Sequence, residues 1–254
     1  MKLKIVTFNL RCVYKGDGIN AFINRLGLIT EKIVSEVPDV IAFQEGVPSH
    51  VPLLRRALPE YTFVFNQRNA DLGGEGLLLA YKNGLELFQL ECFWLSETPY
   101  VPGSRYTHQS DCPRVCQAAL IKAPDGKLFR VYNVHLDHVD DEARCLGIAQ
   151  VLEYMAQQDK KIAAPAFLLG DFNATPDSGV IALCDNNTAY PLCDLTKDSG
   201  GTFHDFGRRE PVKIDYIYAD TKTAQGLQEM SRWEDAVNGV FLSDHYPVYV
   251  EVVV

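Results

Sequence analysis

Short strand-like runs and helical patterns follow one another along the whole chain, and this alternation limits the folds open to it. Residues 3–10 and 40–44 have the length and apolar content of buried strands, and the helical repeat between them ends at Pro38. The sequence contains no linker rich in serine, glycine or proline, no low-complexity tract and no internal repeat. The 254 residues are therefore predicted to form a single domain, 1–254, near the upper size of one hydrophobic core.

The order of the predicted elements favours two packed sheets over one parallel sheet. The dipeptide Asp125-Gly126 lies between strand-like residues 114–122 and 127–136, which is a typical hairpin signal. Further strands are predicted at 61–66, 76–81, 85–95, 166–169, 214–219 and 247–254, and helices at 48–58 and 140–158. The first helix is predicted from apolar residues at helical spacing, namely Ile19, Phe22, Ile23, Leu26, Ile29, Ile33, Val34 and Val37. This pattern predicts an α/β fold in which two β-sheets pack face to face with helices outside.

The net charge limits the class of partner. Against 33 acidic residues the chain has 24 Lys and Arg, which gives a net charge of −9. Proteins that follow a nucleic-acid backbone rely on clustered Lys and Arg, so binding of long duplex nucleic acid is not expected. A small anionic substrate or a short single strand remains compatible with this charge. We also expect the protein to act as a monomer.

Cysteine usage and the N-terminus predict a cytoplasmic protein. The seven cysteines are odd in number and lack a repeated spacing, which favours reduced thiols. Cys112 and Cys116 have no second Cys/His pair that would complete a zinc site. The chain enters a strand-like pattern at residue 3 without a signal sequence, and no apolar run approaches the roughly 20 residues that cross a bilayer.

Polar residues able to support catalysis follow apolar runs at the predicted strand ends, where active sites are commonly built. They are Asn9, Glu45, His135, Asp171, Asn173, Asp215, Asp244 and His245. A single Asp or Asn in such a position is more often a turn or cap residue, so the joint pattern carries the functional interpretation. The Gly-rich segment 73–76 precedes a strand instead of opening a helix, and a turn is the simpler interpretation than a nucleotide loop.

Three short motifs together resemble the endonuclease/exonuclease/phosphatase superfamily, which has the DNase I-like fold. They are Gln44-Glu45, Gly170-Asp171-Phe172-Asn173 and Ser243-Asp244-His245-Tyr246-Pro247, and the resemblance extends from Asn9 to Val248. Segments 93–99 and 133–138 resemble a bacterial branch of that superfamily. The resemblance implies a four-layered α/β sandwich, two packed mixed β-sheets flanked by helices.

The resemblance also implies a divalent-metal site. Mg²⁺ prefers oxygen ligands and retains several waters, so one carboxylate with substrate phosphate oxygens can suffice. Glu45 fits that role, with Asn9 beside it, and Asp244 could hold a second metal ion or a bridging water. The predicted cofactor is Mg²⁺, with Mn²⁺ as a possible substitute.

Catalytic roles follow from the same resemblance. Asp171 is similar to the family's water-activating base, and Asn173 would position the water or a phosphate oxygen. Asp215 would orient His245, whose imidazolium stabilises charge on the phosphate, and His135 would make a second phosphate contact.

Two further residues are predicted to contact the substrate. Arg114 could bind the phosphate through two guanidinium N–H groups, although a surface ion pair is an equal alternative. His138, with its neighbour Asp137, is marked by the bacterial branch alone. The aromatic side chains Phe93, Trp94, Tyr216 and Tyr218 are predicted to pack in the core.

The leading functional hypothesis is a metal-dependent phosphoesterase that hydrolyses a phosphomonoester or phosphodiester by in-line attack of an activated water. A small or short single-stranded substrate is favoured by the charge. The alternatives are a nuclease acting on DNA or RNA, including abasic-site or exonuclease activity, and a catalytically silent binding protein of the same fold. The complete set of polar residues argues against the silent protein.

Overall fold

Two six-stranded mixed sheets form the centre of the molecule in the computed structural model, which describes residues 1–254. The strands are β1 (Lys2–Asn9), β2 (Val40–Gly46), β3 (Tyr61–Gln67), β4 (Gly76–Lys82), β5 (Glu86–Trp94), β6 (Val115–Lys122), β7 (Leu128–His135), β8 (Ala166–Asp171), β9 (Leu192–Asp194), β10 (Asp215–Asp220), β11 (Leu227–Arg232), β12 (Ala236–Val237), β13 (Val240–Phe241) and β14 (Val248–Val253). The α-helices are α1 (Phe22–Glu36), α2 (His50–Ala57), α3 (Asp141–Lys161), α4 (Gly179–Asp185) and α5 (Thr221–Ala224), and a 3₁₀ segment covers Lys15–Asn20.

The two sheets repeat one arrangement. Sheet one has the order β11-β14-β1-β2-β4-β3 and sheet two has the order β5-β6-β7-β8-β10-β9. Each contains one parallel pair, β1 with β2 and β7 with β8, and its other pairings are antiparallel. In each parallel pair the two strands end at the same edge of the sheet. The residues at the C-terminal ends of β1 and β2 therefore lie side by side, as do those of β7 and β8.

Three apolar clusters define four layers. Ile5, Ala42, Val131 and Leu169 belong to the cluster between the sheets. A second cluster joins sheet one to α1 and α2, and a third joins sheet two to α3 and α4. The predicted four-layered α/β sandwich is confirmed, and the four aromatic side chains predicted to pack in the core are all buried.

The predicted elements are largely confirmed, with α1 as the main correction. The helix begins at Phe22 and ends at Glu36, so Ile19 and Val37 lie outside it. Of the apolar residues that predicted it, Ile19, Ile23, Val34 and Val37 are exposed, whereas Phe22, Ile29 and Ile33 are buried and form a narrower core stripe. Helices α4 and α5 and strands β9, β11, β12 and β13 were not predicted from the sequence.

A network of buried amides connects the two sheets beneath the ends of the parallel pairs. Gln44 of β2 donates to Asn133 Oδ1 of β7 at 2.9 Å, and Asn133 donates to Gln117 Oε1 of β6 at 3.3 Å. Gln117 then donates to Asn66 Oδ1 of β3 at 2.7 Å, which returns the network to sheet one. Gln44, Asn133 and Gln117 are fully buried, so a sliding of the sheets would leave these amides unpaired.

The helices and the cysteines bear on the class of protein. No helix of the structure combines the length and apolar character that crossing a membrane requires. All seven cysteines are unpaired.

His50 is a buried imidazole at the start of α2. Its ring stacks on Phe22 with 3.8 Å between centroids, and neither ring nitrogen has a hydrogen-bond partner. Burial, together with the charge of Arg25, lowers the pKa of His50 to about 4. The folded protein therefore holds this ring neutral in a pH range where the unfolded chain protonates it.

This difference predicts an acid-sensitive stability. A histidine whose folded pKa is lowered contributes stability that is present above the unfolded pKa and is lost as pH falls toward the folded value. Between pH 7 and pH 5 the wild type should lose about 1–2 kcal/mol more unfolding free energy than His50→Leu. Urea unfolding at both pH values measures this difference. The variant His108→Leu, at an exposed position, is the control and should behave as wild type; an equal acid loss in His50→Leu would contradict the prediction.

Candidate active site

The predicted site residues converge at one end of the two sheets. Asn9, Glu45, His135 and Asp171 lie at the ends of β1, β2, β7 and β8, and Asp215 begins β10 directly opposite Asp171. Asp244 and His245 precede β14. Both sheets thus contribute residues to the site.

Glu45 is directed to the cleft by an irregularity in β2. The register with β4 shifts between Phe43 and Gly46, and Glu45 itself has a φ of 56°. Its carboxylate accepts hydrogen bonds from Asn9 Nδ2 at 3.1 Å and from the Cys12 N–H at 2.8 Å. Burial favours the neutral form, but these donors and the charge of His245 prevail and lower the pKa of Glu45.

Asn9 links the two sheets at the centre of the site. Its Nδ2 also donates to Asp171 Oδ2 at 2.9 Å, while its Oδ1 accepts the Arg11 N–H at 2.9 Å. The Arg11 N–H fixes which end of the amide is the oxygen, because two donors would otherwise face each other.

Asp171 is a buried carboxylate with a raised pKa. Gly170 precedes it because a Cβ at that position would lie 1.9 Å from the Val134 carbonyl oxygen. Asp171 Oδ1 accepts the Asn173 N–H at 2.8 Å. Burial and the neighbouring Asp215 carboxylate raise the pKa of Asp171 to about 7.

His245 is held by Asp215. Its Nδ1 lies 2.8 Å from Asp215 Oδ2, and its Nε2 lies 3.8 Å from Asp171 Oδ2. Burial alone would lower the pKa of His245, but the Asp215 carboxylate, with Asp171 and Asp244, raises it to about 10. The ring is therefore an imidazolium at neutral pH, with its Nε2–H directed toward the cleft side of Asp171.

His135 has the opposite charge state. Its Nε2 lies 3.6 Å from Asp171 Oδ2. Burial and the nearby guanidinium of Arg114 hold the pKa of His135 well below its usual range. The two histidines beside Asp171 therefore differ in charge: His135 is a neutral imidazole and His245 is an imidazolium.

Asn173 has a φ of 49° and donates its side-chain N–H to the Leu136 carbonyl at 3.1 Å.

Arg11 and Asp17 are site residues that sequence reasoning missed. Two N–H groups of Arg11 bind the Asp17 carboxylate at 3.2 Å each, and Arg11 Nη1 lies 3.5 Å from Asp244 Oδ2. Arg11 also has a φ of 59°, which turns its backbone N–H toward Asn9. The only sequence signal was its position two residues after Asn9, which has no specificity.

Arg114 is a cleft residue and makes no surface ion pair. It is 4% exposed, its Nη2 lies 3.0 Å from His138 Nδ1, and its Nε and Nη1 have no hydrogen-bond partner. Asp137 is buried and accepts N–H groups of Val139 and Asp140 at 3.1 and 2.9 Å. Asp137 was predicted, with His138, as a substrate contact. In the structure its carboxylate instead holds the turn that follows His138.

These side chains surround an open cleft of about 360 Å³, a size typical of small-molecule sites. Arg68 and Glu75, also missed in the sequence, line it and form an ion pair with 2.9 Å between Nη1 and Oε2. The segment 73–76, predicted as a turn, carries Glu75 to this position.

Comparison with known proteins identifies the family. The model of the endonuclease/exonuclease/phosphatase family matches residues 6–245. The chain belongs to this family. Its members act on phosphoester bonds and typically depend on a divalent metal ion. The family resemblance inferred from the motifs is confirmed.

Similar family members include bacterial and viral proteins. An endonuclease/exonuclease/phosphatase from Bacteroides vulgatus has a TM-score of 0.91 at 27% identity, covering 100% of this chain and 99% of that one. A mannosyl-6-phosphatase of Bacteroides thetaiotaomicron has a TM-score of 0.88 at 25% identity, covering 99% and 100%. A protein of Acanthamoeba polyphaga mimivirus is 25% identical over 248 residues, covering 89% of this chain and 90% of its own. TDP2 of D. rerio, at 16% identity and a TM-score of 0.75, shares the fold.

The residues of this family member fit a divalent cation best at Glu45. Its carboxylate is half-buried, has a lowered pKa, lines the cleft and has no ion-pair partner. Partial removal of an ionised carboxylate from water favours a bound cation, and oxygen ligands are those that Mg²⁺ prefers. The oxygens and nitrogens of Asp171, Asp215 and His245 also lie within 4.8 Å of one another, but there the imidazolium already supplies the positive charge.

The charge of His245 gives a direct prediction. In metal-free protein, the His245 ring should titrate near pH 10 by NMR. In Asp215→Asn the largest opposing charge is removed while burial remains, so the pKa should fall toward or below the usual value near 6.5. An unchanged His245 titration in the variant would show that Asp215 does not control this charge.

Proposed function

We propose that this single-domain protein is a divalent-metal-dependent phosphoesterase that hydrolyses a small phosphomonoester by in-line attack of water. The observation that supports this most is the pair Asp171 and His245, a carboxylate with a raised pKa beside an imidazolium in one cleft. Pairs of groups whose pKa values are moved apart by their surroundings are typical of acid–base sites.

Asp171 is the proposed general base. A base is most effective when its pKa lies near the working pH, and burial and Asp215 bring the pKa of Asp171 to about 7. The Asn9 and Asn173 donors hold its two oxygens in place, so the carboxylate keeps one orientation while it accepts a proton from the attacking water. Asn173 is proposed to position that water or a phosphate oxygen.

The proposed phosphate contacts surround the base. His245, oriented by Asp215, donates Nε2–H to a phosphate oxygen and stabilises the charge that grows there. His135 is a second, neutral contact, and the free N–H groups of Arg114 offer a charged one. His138 is proposed to contact the leaving group beside Arg114.

Glu45 would hold the Mg²⁺ or Mn²⁺ ion, with Asn9 and Asp244 as the other predicted ligands. When bound, such an ion neutralises charge on the phosphate oxygens and the leaving group. Asn9 already orients Glu45 through its Nδ2, so its main contribution in this chain is to position the ligand carboxylate.

A small substrate is favoured over a polynucleotide. The net charge is −9, and the cleft of about 360 Å³ suits a small ester. The mannosyl-6-phosphatase among the similar structures acts, by its name, on a phosphomonoester. A nuclease is the second candidate, because TDP2 of D. rerio was crystallised with a single-stranded DNA product. The complete polar site argues against a silent binding protein.

Metal removal tests the first part of the proposal. EDTA should abolish hydrolysis of a panel of phosphate esters, and Mg²⁺ or Mn²⁺ should restore it. The reason is that the ion held by Glu45 would neutralise charge on the phosphate, which the Glu45 carboxylate alone cannot do. Glu45→Gln should weaken Mn²⁺ binding in a direct titration, with Glu36→Gln as the control outside the cleft. Full turnover in chelator would contradict the metal assignment.

Substitution of the catalytic pair tests the second part. Asp171→Asn should lower kcat/KM about 10²–10⁴-fold, because it removes the proton acceptor but keeps the shape. His245→Ala should cost about 10²–10³-fold through lost transition-state stabilisation. The double variant should lose less than the product of the two, since both groups act on one transition state. Circular dichroism checks folding; a folded single variant with wild-type activity would make that residue structural.

A further inference from the structure

Two charged groups of the cleft, Arg68 and Glu75, have no part in the proposed chemistry. They line one recess together with Arg114, His135 and Glu45, whereas Asp171 and His245 do not line it. The recess therefore adjoins the phosphate site through His135 and extends away from the catalytic pair. The recess itself has room for about one water, about 10 Å³, but Arg68, Glu75 and Arg114 also line the adjoining cleft of about 360 Å³. The leaving group of the substrate would therefore lie in that wider cleft, against the mouth of the recess.

The recess is rich in unused hydrogen-bond donors. Arg68 Nε, Arg114 Nε and Arg114 Nη1 are buried and have no hydrogen-bond partner in the protein. Leaving a buried donor unpaired costs about 1–3 kcal/mol, more for a charged group. Ligand oxygens that accept these N–H groups would remove that cost, so the recess is suited to an oxygen-rich ligand.

The same recess contains a matching acceptor and little net charge. Glu75 Oε2 lies 2.9 Å from Arg68 Nη1, and Asp137 Oδ1 lies 3.8 Å from Arg114 Nε. Each guanidinium thus faces a carboxylate, and the two charges of each pair largely cancel. A second phosphate group on the substrate would therefore be repelled by Glu75 without a compensating positive charge. A hydroxyl group both donates and accepts, and an arginine–carboxylate pair satisfies both functions.

The backbone fixes this pair. The Arg68 N–H donates to the Glu75 carbonyl at 3.0 Å, and Trp94 Nε1–H donates to the Arg68 carbonyl at 2.6 Å. The pair is therefore set before substrate arrives, which reduces the entropy lost on binding.

The lining argues against a nucleobase. Recognition of single-stranded nucleic acid relies on aromatic faces on which bases stack. No Phe, Tyr or Trp lines the recess, and the one such residue of the cleft, Phe203, packs against the His245 ring at 4.9 Å between centroids.

We propose that Arg68 and Glu75 form a specificity subsite that binds adjacent hydroxyl groups of a polyol leaving group, such as the sugar of a sugar monophosphate. This inference rests on the proposed phosphoesterase function and names its substrate class. Glu75 accepts from one hydroxyl, and the free Arg68 Nε–H donates to its neighbour, which leaves the Arg114 N–H groups to the phosphate.

The test compares two kinds of phosphomonoester. Glucose 6-phosphate, mannose 6-phosphate, glycerol 3-phosphate and myo-inositol 1-phosphate carry hydroxyls, whereas phenyl phosphate has none on its leaving group. Glu75→Gln and Arg68→Lys should lower kcat/KM for the best polyol phosphate about 10–100-fold, as expected for a lost charged hydrogen bond. Phenyl phosphate hydrolysis should change less than about threefold. Asp71→Asn, an exposed position in the same loop outside the cleft, is the matched control.

The outcomes separate this subsite from the catalytic proposal. Equal losses on both kinds of substrate in folded variants, or a wild-type preference for phenyl phosphate or a thymidine phosphodiester, would overturn the subsite and leave the phosphoesterase standing. Absence of any hydrolysis by the wild type with Mg²⁺ or Mn²⁺ would overturn the proposed function, and the subsite with it. Thermal unfolding of each variant excludes misfolding as the cause.

Discussion

The amide network between the sheets is the constraint on which the site depends. Each sheet is held by its own backbone hydrogen bonds and apolar packing, but apolar contacts between sheets have no direction and permit sliding. Gln44, Asn133, Gln117 and Asn66 cross between the sheets twice, and each bond requires one relative position. Asn9 and Asp171 repeat this connection one layer higher, at the cleft itself. Distances between residues from different sheets are thereby fixed by directional bonds.

Electrostatic differences then distinguish chemically similar groups. Glu45 and Asp171 both accept the Asn9 amide and a backbone N–H, yet the pKa of Glu45 is lowered and that of Asp171 is raised. The difference comes from the surroundings: at Asp171, burial and a second carboxylate, Asp215, outweigh the donors, whereas at Glu45 the donors and the charge of His245 prevail. His135 and His245 differ in the same way, because Arg114 lies beside the first and Asp215 beside the second. One cleft thus contains four groups in different protonation states: an ionised carboxylate, a carboxylate of raised pKa, a neutral imidazole and an imidazolium. They are Glu45, Asp171, His135 and His245.

The sequence predicted the architecture, because strand periodicity and short motifs are local properties, and the polar residues it marked lie together at one cleft. It did not fix which apolar residues of α1 are buried, because apolar spacing does not state how many positions a neighbouring sheet can cover. Arg11, Asp17, Arg68 and Glu75 could not be predicted, since their relation to the cleft depends on loops that only the folded chain brings together. The same holds for Arg114, whose burial distinguishes a cleft residue from a surface ion pair.

Arg11, Glu45 and Asn173 share a left-handed backbone, with φ values of 59°, 56° and 49°. Non-glycine residues avoid this conformation at a cost of about 1–2 kcal/mol each, and the folded surroundings must offset it. Glycine would relieve that strain at every one of the three positions but would remove a side chain or loosen a turn at the cleft. Greater stability and retained chemistry therefore oppose each other at these three positions, where a stabilising glycine would come with a less well-defined cleft.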